Sequence, residues 1–218
     1  NVLLMELKKF MNKKTDIFLN NLSTSRIIVI LRNIEESQIE EYVGLLEEKG
    51  LNTLEVTLNS PNPFSSIKLI SKLFPKINLG AGTVIQKNDI EKLLDLGVNF
   101  IVSPNTDPEV IEETLKKDLV SIPGFYSASE GLNAIKYGAK ILKLFPSGLN
   151  GINLIKDYSS VFPSGIKFIP TGGVNQDNIK LLLLNAYAVG LGGSLFNKNI
   201  SLKNFSDRIN EFKLILNE

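Results

Sequence analysis

The feature that most constrains this chain is an alternation. Short β-branched runs recur eight times, and each is followed by a segment whose apolar positions repeat at helical spacing. The runs are Arg26–Arg32, Thr53–Leu58, Asn78–Val84, Phe100–Asn105, Leu119–Phe125, Lys140–Pro146, Lys167–Val174 and Ala188–Phe196. Amphipathic stretches lie between them, among them Ser37–Lys49, Asp89–Leu96, Asp107–Lys117 and Asn175–Asn185, several opened by Ser, Asp or Asn in the manner of a helix cap. Strand then helix, repeated, is the pattern of a parallel sheet whose crossovers are helical. Eight such units in a chain of 218 residues predict a compact (β/α)8 TIM barrel. A doubly wound open sheet is the alternative. Against it, the first strand is followed by Asn33-Ile34-Glu35-Glu36 and not by the G-x-G-x-x-G turn of a dinucleotide fold. An additional N-terminal helix, Leu4–Leu22, is expected to cover one end of the barrel, and Leu202–Leu216 to close the ring of helices. No run of Pro, Gly or Ser divides the chain, so 1–218 reads as a single domain. Met5 is a candidate native start, with the residues before it a cloning remnant.

Composition removes whole classes of chemistry. Histidine and cysteine are both absent. Zinc prefers imidazole and thiolate ligands, so no metal site is expected, and neither a Ser-His-Asp nor a Cys-His nucleophile can be assembled. Proton transfer must fall to Glu, Asp, Lys, Tyr or water. Lack of cysteine also suits a reducing compartment, and cytoplasm is the default expectation. A net charge of +1, without a block of basic residues among aromatics, argues against a nucleic-acid partner. No apolar stretch approaches the roughly 20 residues needed to span a bilayer, so no membrane partner is expected.

Active sites of TIM barrels form at the C-terminal ends of the strands. In Ile141-Leu142-Lys143-Leu144-Phe145, the period-2 alternation puts Lys143 on one face with Ile141 and Phe145. A lysine there is either an amine buried in the barrel, with a pKa lowered by desolvation and fit to attack a ketone, or a strand-end side chain reaching out to water. Glu55 presents a similar choice. In Leu54-Glu55-Val56-Thr57-Leu58 it shares a face with Thr57, opposite three aliphatic residues. It is either a proton carrier beside Lys143 or half of a structural ion pair, and Arg32 at the end of the first strand is a candidate partner in both cases. Thr171-Gly172-Gly173-Val174 and Gly190-Leu191-Gly192-Gly193-Ser194 end the last two strands, where barrels commonly hold phosphate; a glycine pair taken alone is often only a tight turn. Gly80-Ala81-Gly82-Thr83 ends the third strand and brings a hydroxyl near the mouth.

Taken in order, VILR (29–32), LEVTLNSP (54–61), GAGTV (80–84), FIVSPN (100–105), IPGFYSASE (122–130), LKLFPS (142–147), PTGGV (170–174) and GLGGSLF (190–196) resemble the 2-keto-3-deoxy-6-phosphogluconate (KDPG) aldolase family and its 2-keto-3-deoxy-6-phosphogalactonate (KDPGal) branch. The resemblance implies a class I, cofactor-free carbon–carbon lyase acting on a small keto-acid sugar phosphate, as a homotrimer. It makes Lys143 the Schiff-base nucleophile and Glu55 the general acid-base. Thr83, Pro104 and Phe145 match residues around bound pyruvate, Arg32 a basic residue at the first strand's end, and Gly172, Gly173, Gly193 and Ser194 a phosphate cradle. Two positions give opposite signals on substrate. Asn59 stands where the best-known KDPG enzymes have arginine and resembles the galactonate branch, whereas Thr171 resembles the gluconate branch. KDPG is the preferred reading, KDPGal the alternative, and activity on 4-hydroxy-2-oxoglutarate a further expectation. Outside this resemblance, a sugar-phosphate isomerase or epimerase, a magnesium-dependent pyruvate aldolase and a catalytically dead sugar-phosphate-binding barrel remain open.

Overall fold

The computed structural model describes residues 2–148 and 150–217, with side chains from Lys13 onward. The alternation read from the sequence is realised as an α/β fold in which every strand pair is parallel. A curled six-stranded sheet contains β1 (Ile27–Leu31), β2 (Thr53–Thr57), β3 (Asn78–Gly82), β4 (Phe100–Val102), β5 (Val120–Ile122) and β9 (Val189–Leu191), in the order β5-β4-β3-β2-β1-β9. A three-stranded sheet orders β6 (Gly124–Phe125), β7 (Ile141–Leu144) and β8 (Lys167–Pro170). The helices are α1 (Val2–Ser23), α2 (Glu36–Glu48), α3 (Pro63–Leu73), α4 (Asp89–Asp95), α5 (Pro108–Lys116), α6 (Ala128–Lys136), α7 (Gly151–Val161), α8 (Ile179–Leu183) and α9 (Leu202–Asn217). None of the described helices is long and apolar enough to cross a membrane.

The strands are shorter than the apolar runs that announced them, and local chemistry explains each difference. The fifth run is not one strand. Pro123, which has no N–H to give to a ladder, splits it into β5 and β6, which pair in different sheets. β8 ends at Pro170 because Gly172 and Gly173 take φ of +79° and +80°. β9 ends at Leu191 because Leu195 and Phe196 donate their amides back to the Gly192 carbonyl, curling the chain into a turn. The helix expected over Asn175–Asn185 starts only at Ile179. The Asn175 side-chain oxygen accepts from the amides of Asp177 and Asn178, and this local ring replaces the first helical turn. Capping follows the sequence more closely. Asp107 accepts from the amides of Glu109 and Val110 ahead of Pro108, and Ser127 and Glu130 form a reciprocal capping box.

Two apolar clusters sort the strand residues by face. Leu54, Val56, Leu142 and Leu144 point outward into the layer between sheet and helices. Ile28, Phe100, Val102, Val120, Ile122, Ile141, Ile169 and Ala188, drawn from both sheets, fill the interior. Phe18 and Leu22 of α1 enter that interior at the N-terminal ends of the strands, with the Phe18 ring centroid 5.0 Å from that of Phe100. The N-terminal helix therefore seals the end of the strand layer opposite the polar residues, as its apolar pattern predicted.

Candidate active site

Lys143 owes its position to the pleat of β7. Ile141, two residues before it, belongs to the inner cluster, while Leu142 and Leu144 belong to the outer one. Its alkyl chain is thus carried inward between Gly124 of β6 and Ile169 of β8, its register partners, and the residue is only 5% exposed. The solvent-reaching alternative is removed. Its Nζ lies 4.8 Å from the centroid of the Phe145 ring. Burial pulls the amine pKa below the ordinary lysine range; the Glu55 carboxylate opposes that pull, and the Arg32 guanidinium adds to it.

Glu55 reaches the same interior from β2, flanked in register by Ile30 and Gly80, and is 3% exposed. Its carboxylate occupies the space that a Cβ at Gly82 would fill, so the glycine of the third strand's GAGT string makes room for an acid on the neighbouring strand. Burial raises the Glu55 pKa above the usual carboxylate range, while Lys143 first and then Arg32 pull it back down. No ion pair within 4.0 Å joins Glu55 to Lys143 among the described residues. The two groups sense each other's charge across open space.

That space is a cavity of about 390 Å³ at the C-terminal ends of the strands. Its wall includes Arg32, Glu55, Lys143, Phe145, Thr171, Gly172, Gly173, Gly193 and Ser194, nine of the twelve positions singled out from the sequence. Where the ends of β8 and β9 line it, the wall is rich in glycine. The amides of Gly173, Gly193 and Ser194 make no hydrogen bond to the backbone among the described residues, and the Ser194 hydroxyl is buried without a partner. Unused donors converging on a cavity are suited to an anion. Gly172 and Gly173 cannot be exchanged for larger residues: added Cβ atoms would meet the Phe145 ring at 2.9 Å and Gly148 Cα at 2.5 Å, at positive φ.

Three sequence candidates do not line the cavity. Asn59 is exposed in the turn after β2, a turn whose Ser60 hydroxyl pairs with Thr57 at 2.9 Å and accepts the Asn33 amide at 2.8 Å. Those bonds tie the turn to the residue after Arg32, and Asn59 itself is outside the cavity wall. Thr83 takes φ +57° directly after β3 and is half-buried outside the cavity, because the left-handed turn breaks the alternation that put Gly80 and Gly82 inward. Pro104 contributes its carbonyl to crowding at Gly124, where a Cβ would overlap it, and stands behind the wall. Conversely, Ile30, Val174, Asn175, Gly190 and Gly192 line the cavity without a role assigned from the sequence, although Val174, Gly190 and Gly192 belong to the glycine strings that end the last two strands. Two of them were within reach of the same reasoning. Ile30 lies two residues before Arg32 and shares its face, and Gly190 bridges Thr171 across the seam between the sheets. No group of His, Cys, Asp or Glu able to hold a metal ion occurs among the described residues.

Comparison with known proteins converges on one family. A family model for KDPG and KHG aldolases matches residues 19–212. The chain is 36% identical over 177 residues, 80% of its own length and 84% of the relative's, to a probable 2-dehydro-3-deoxy-6-phosphogalactonate aldolase of Rhizobium meliloti. It is 31% identical over 171 residues, 78% of its length and 77% of the relative's, to a 2-dehydro-3-deoxy-phosphogluconate aldolase of Pseudomonas aeruginosa. Its fold superposes with a TM-score of 0.79 and 30% identity on the KDPG aldolase of Legionella pneumophila, solved with pyruvate captured as a covalent carbinolamine, over 89% of this chain and 96% of that one. A buried amine and a buried acid facing one cavity, in a fold and sequence shared with these enzymes, establish that the chain belongs to the KDPG and KHG aldolase family.

Proposed function

We propose that this chain is a class I aldolase that cleaves 2-keto-3-deoxy-6-phosphogluconate to pyruvate and D-glyceraldehyde 3-phosphate, with Lys143 as nucleophile and Glu55 as proton carrier. The observation that carries the reading is an amine 5% exposed, depressed in pKa by burial, facing an acid whose pKa is raised. A neutral amine attacks a C2 ketone, and loss of water gives an iminium. The iminium nitrogen is an electron sink, so the C3–C4 bond breaks as Glu55, through a water in the space between the two residues, takes the C4 hydroxyl proton. The aldehyde leaves, Glu55 returns the proton to C3 of the enamine, and hydrolysis frees pyruvate and Lys143. The iminium supplies the electron sink, so this route requires no metal or organic cofactor.

Arg32, at the cavity mouth, suits the substrate carboxylate, and Phe145 provides an apolar wall beside the pyruvyl carbon chain. The unused amides of Gly173, Gly193 and Ser194, with Gly172 setting the turn, suit the phosphate. Thr83 and Pro104 keep the role the resemblance gives them, beside the bound pyruvate, and Asn59 its place in the loop next to the opening. The strands are read as a complete (β/α)8 barrel within one domain, β5 and β6 together forming its fifth stave. Support comes from the Thr171–Gly190 bridge, the Tyr187 amide donating to Phe168 across the seam at 3.0 Å, and an interior cluster drawn from both sheets. Family resemblance adds a cytoplasmic homotrimer.

The test is trapping. Sodium borohydride with pyruvate is expected to inactivate the enzyme and leave a reduced adduct that peptide mapping assigns to Lys143; an isomerase or a magnesium aldolase forms none.

A second reading, cleavage of 2-keto-3-deoxy-6-phosphogalactonate, is favoured by the 36% identity to the Rhizobium relative and by Asn59. Asn59 does not line the cavity, whereas Thr171 does, buried beside Gly190, so the gluconate-type residue is the one in reach of substrate. Thr171→Val, which removes a hydroxyl at constant shape, is expected to shift the ratio of kcat/KM for the two C4 epimers about tenfold, the worth of one hydrogen bond of about 1.4 kcal/mol. An unchanged ratio removes Thr171 as the discriminator.

A further inference from the structure

The end of the strand layer opposite the catalytic cavity carries a second polar recess. Two cavities, of about 310 and 370 Å³, lie where α1 crosses the N-terminal ends of β2 and β3, and they share Asn21, Lys76 and Asn78 on their walls. Each is at the lower end of small-molecule site volumes.

Asn78 is the residue without a local explanation. It is the first residue of β3 and shares the inward face with Gly80 and Gly82, so its side chain turns toward the interior. It is 9% exposed, and its Nδ2 has no hydrogen-bond partner. A buried amide donor without an acceptor is costly, and such groups usually have a water, an ion or a ligand to answer them. Above it, Phe100 fills the space left open by Gly80, and Asn78 itself lines both cavities. A ligand in the recess meets this residue, and it takes up the donor once the buried amide turns toward it.

The charged side chains that line the recess are lysines, among the described residues. No Asp or Glu among the described residues lines either cavity. Lys14 is already committed to Asp118 at 2.7 Å, whereas Lys76 forms no ion pair among the described residues. Asn21 and Asn52 add primary amides, which both donate and accept and therefore suit hydroxyl groups. We infer that this recess is a binding site for a small hydroxylated anion, its carboxylate or phosphate held by Lys76 and the Asn78 amide and its hydroxyls by Asn21 and Asn52. Because Asn21 belongs to α1 and the other three precede or begin strands, the ligand pins the N-terminal helix to the strand layer. The recess shares no residue with the catalytic cavity, and the inference does not rest on the proposed reaction.

Calorimetric titration of the full chain carrying Ser194→Ala, which weakens anion binding at the catalytic face, tests it. The probes are D-gluconate for a carboxylate head and glycerol 3-phosphate for a phosphate head, with glycerol as the uncharged control. At least one anion is expected to bind saturably at one site per chain, with Kd raised tenfold or more by adding Lys76→Glu and also raised by adding Asn21→Ala, and glycerol to give no saturable heat. Lys76 and Asn21 are exposed, so these changes leave the core intact, and Lys76→Glu alone is expected to leave aldolase turnover unchanged. Superimposable isotherms with and without Lys76→Glu overturn the inference, as does glycerol binding equal to that of the anions, or no saturable binding of either anion.

Discussion

Lys143→Met is expected to lower kcat by about 10⁴-fold or more while leaving the protein at least as stable as wild type. The two halves of that expectation have the same origin. Lys143 stands in an apolar wall beneath Phe145, between Gly124 and Ile169, where an ammonium has lost its hydration and gains only partial compensation from Glu55. Methionine fills nearly the same volume without a polar atom, so the cost of burying an amine disappears along with the nucleophile. A structural lysine behaves in the opposite way, since removing it would unfold the protein and reduce activity only through the folded fraction. Steady-state turnover, borohydride trapping with pyruvate and the thermal midpoint, measured on the same preparation, separate the two. Lys143→Arg sharpens the test. It retains a cation, but a guanidinium stays protonated and forms no imine, so it is expected to be as inactive as methionine and less stable, because its larger charged group must fit the same apolar wall. A reduced pyruvate adduct in any of these variants overturns the assignment.

The sequence made the strand faces readable wherever a side chain's direction follows from alternation alone. Lys143 and Glu55 each sit mid-strand, and two-residue periodicity gave the face each one shares with its neighbours, while the burial that separates an inward amine from one reaching out to water came from the packed strands. The last-strand glycines were readable for a related reason: a glycine pair after an extended run marks the point where backbone must turn, and Gly172 and Gly173 turn there at positive φ. Legibility ended where direction is set by loop hydrogen bonds. The turn that exposes Asn59 is fixed by Ser60, Thr57 and Asn33, a three-way contact that no local pattern announces. The left-handed geometry of Thr83 and the packing of Pro104 against Gly124 are likewise tertiary facts. The division of the fifth run at Pro123 was legible in principle, since proline cannot sit inside a ladder, but the pairing of its two halves in different sheets depends on the curvature of the whole layer.

Glu55→Gln is expected to separate two roles that wild-type kinetics merge. The first is proton transfer. Glutamine keeps the shape and the hydrogen-bonding capacity but cannot carry a proton from the C4 hydroxyl to C3, so kcat is expected to fall by about 10²- to 10⁴-fold, the usual worth of a positioned acid-base group. The second role is electrostatic and has a definite sign. The Glu55 carboxylate raises the pKa of Lys143 against the larger effect of burial. When glutamine takes its place, that counter-charge is gone while desolvation and Arg32 remain, and both of these lower the amine's pKa. The Lys143 amine of the variant is therefore deprotonated at lower pH than in wild type. Imine formation, measured as the initial rate of cyanoborohydride trapping of pyruvate against pH, rises as the amine loses its proton, so its ascending limb is expected to move toward acid in Glu55→Gln even as turnover collapses. A residue that merely props up the site moves both readings together, because a distorted cavity traps pyruvate poorly at every pH. A limb that stays in place, or moves toward alkali, shows that Glu55 exerts no charge on Lys143, and then the pairing of a buried amine with a buried acid is not what makes this cavity reactive.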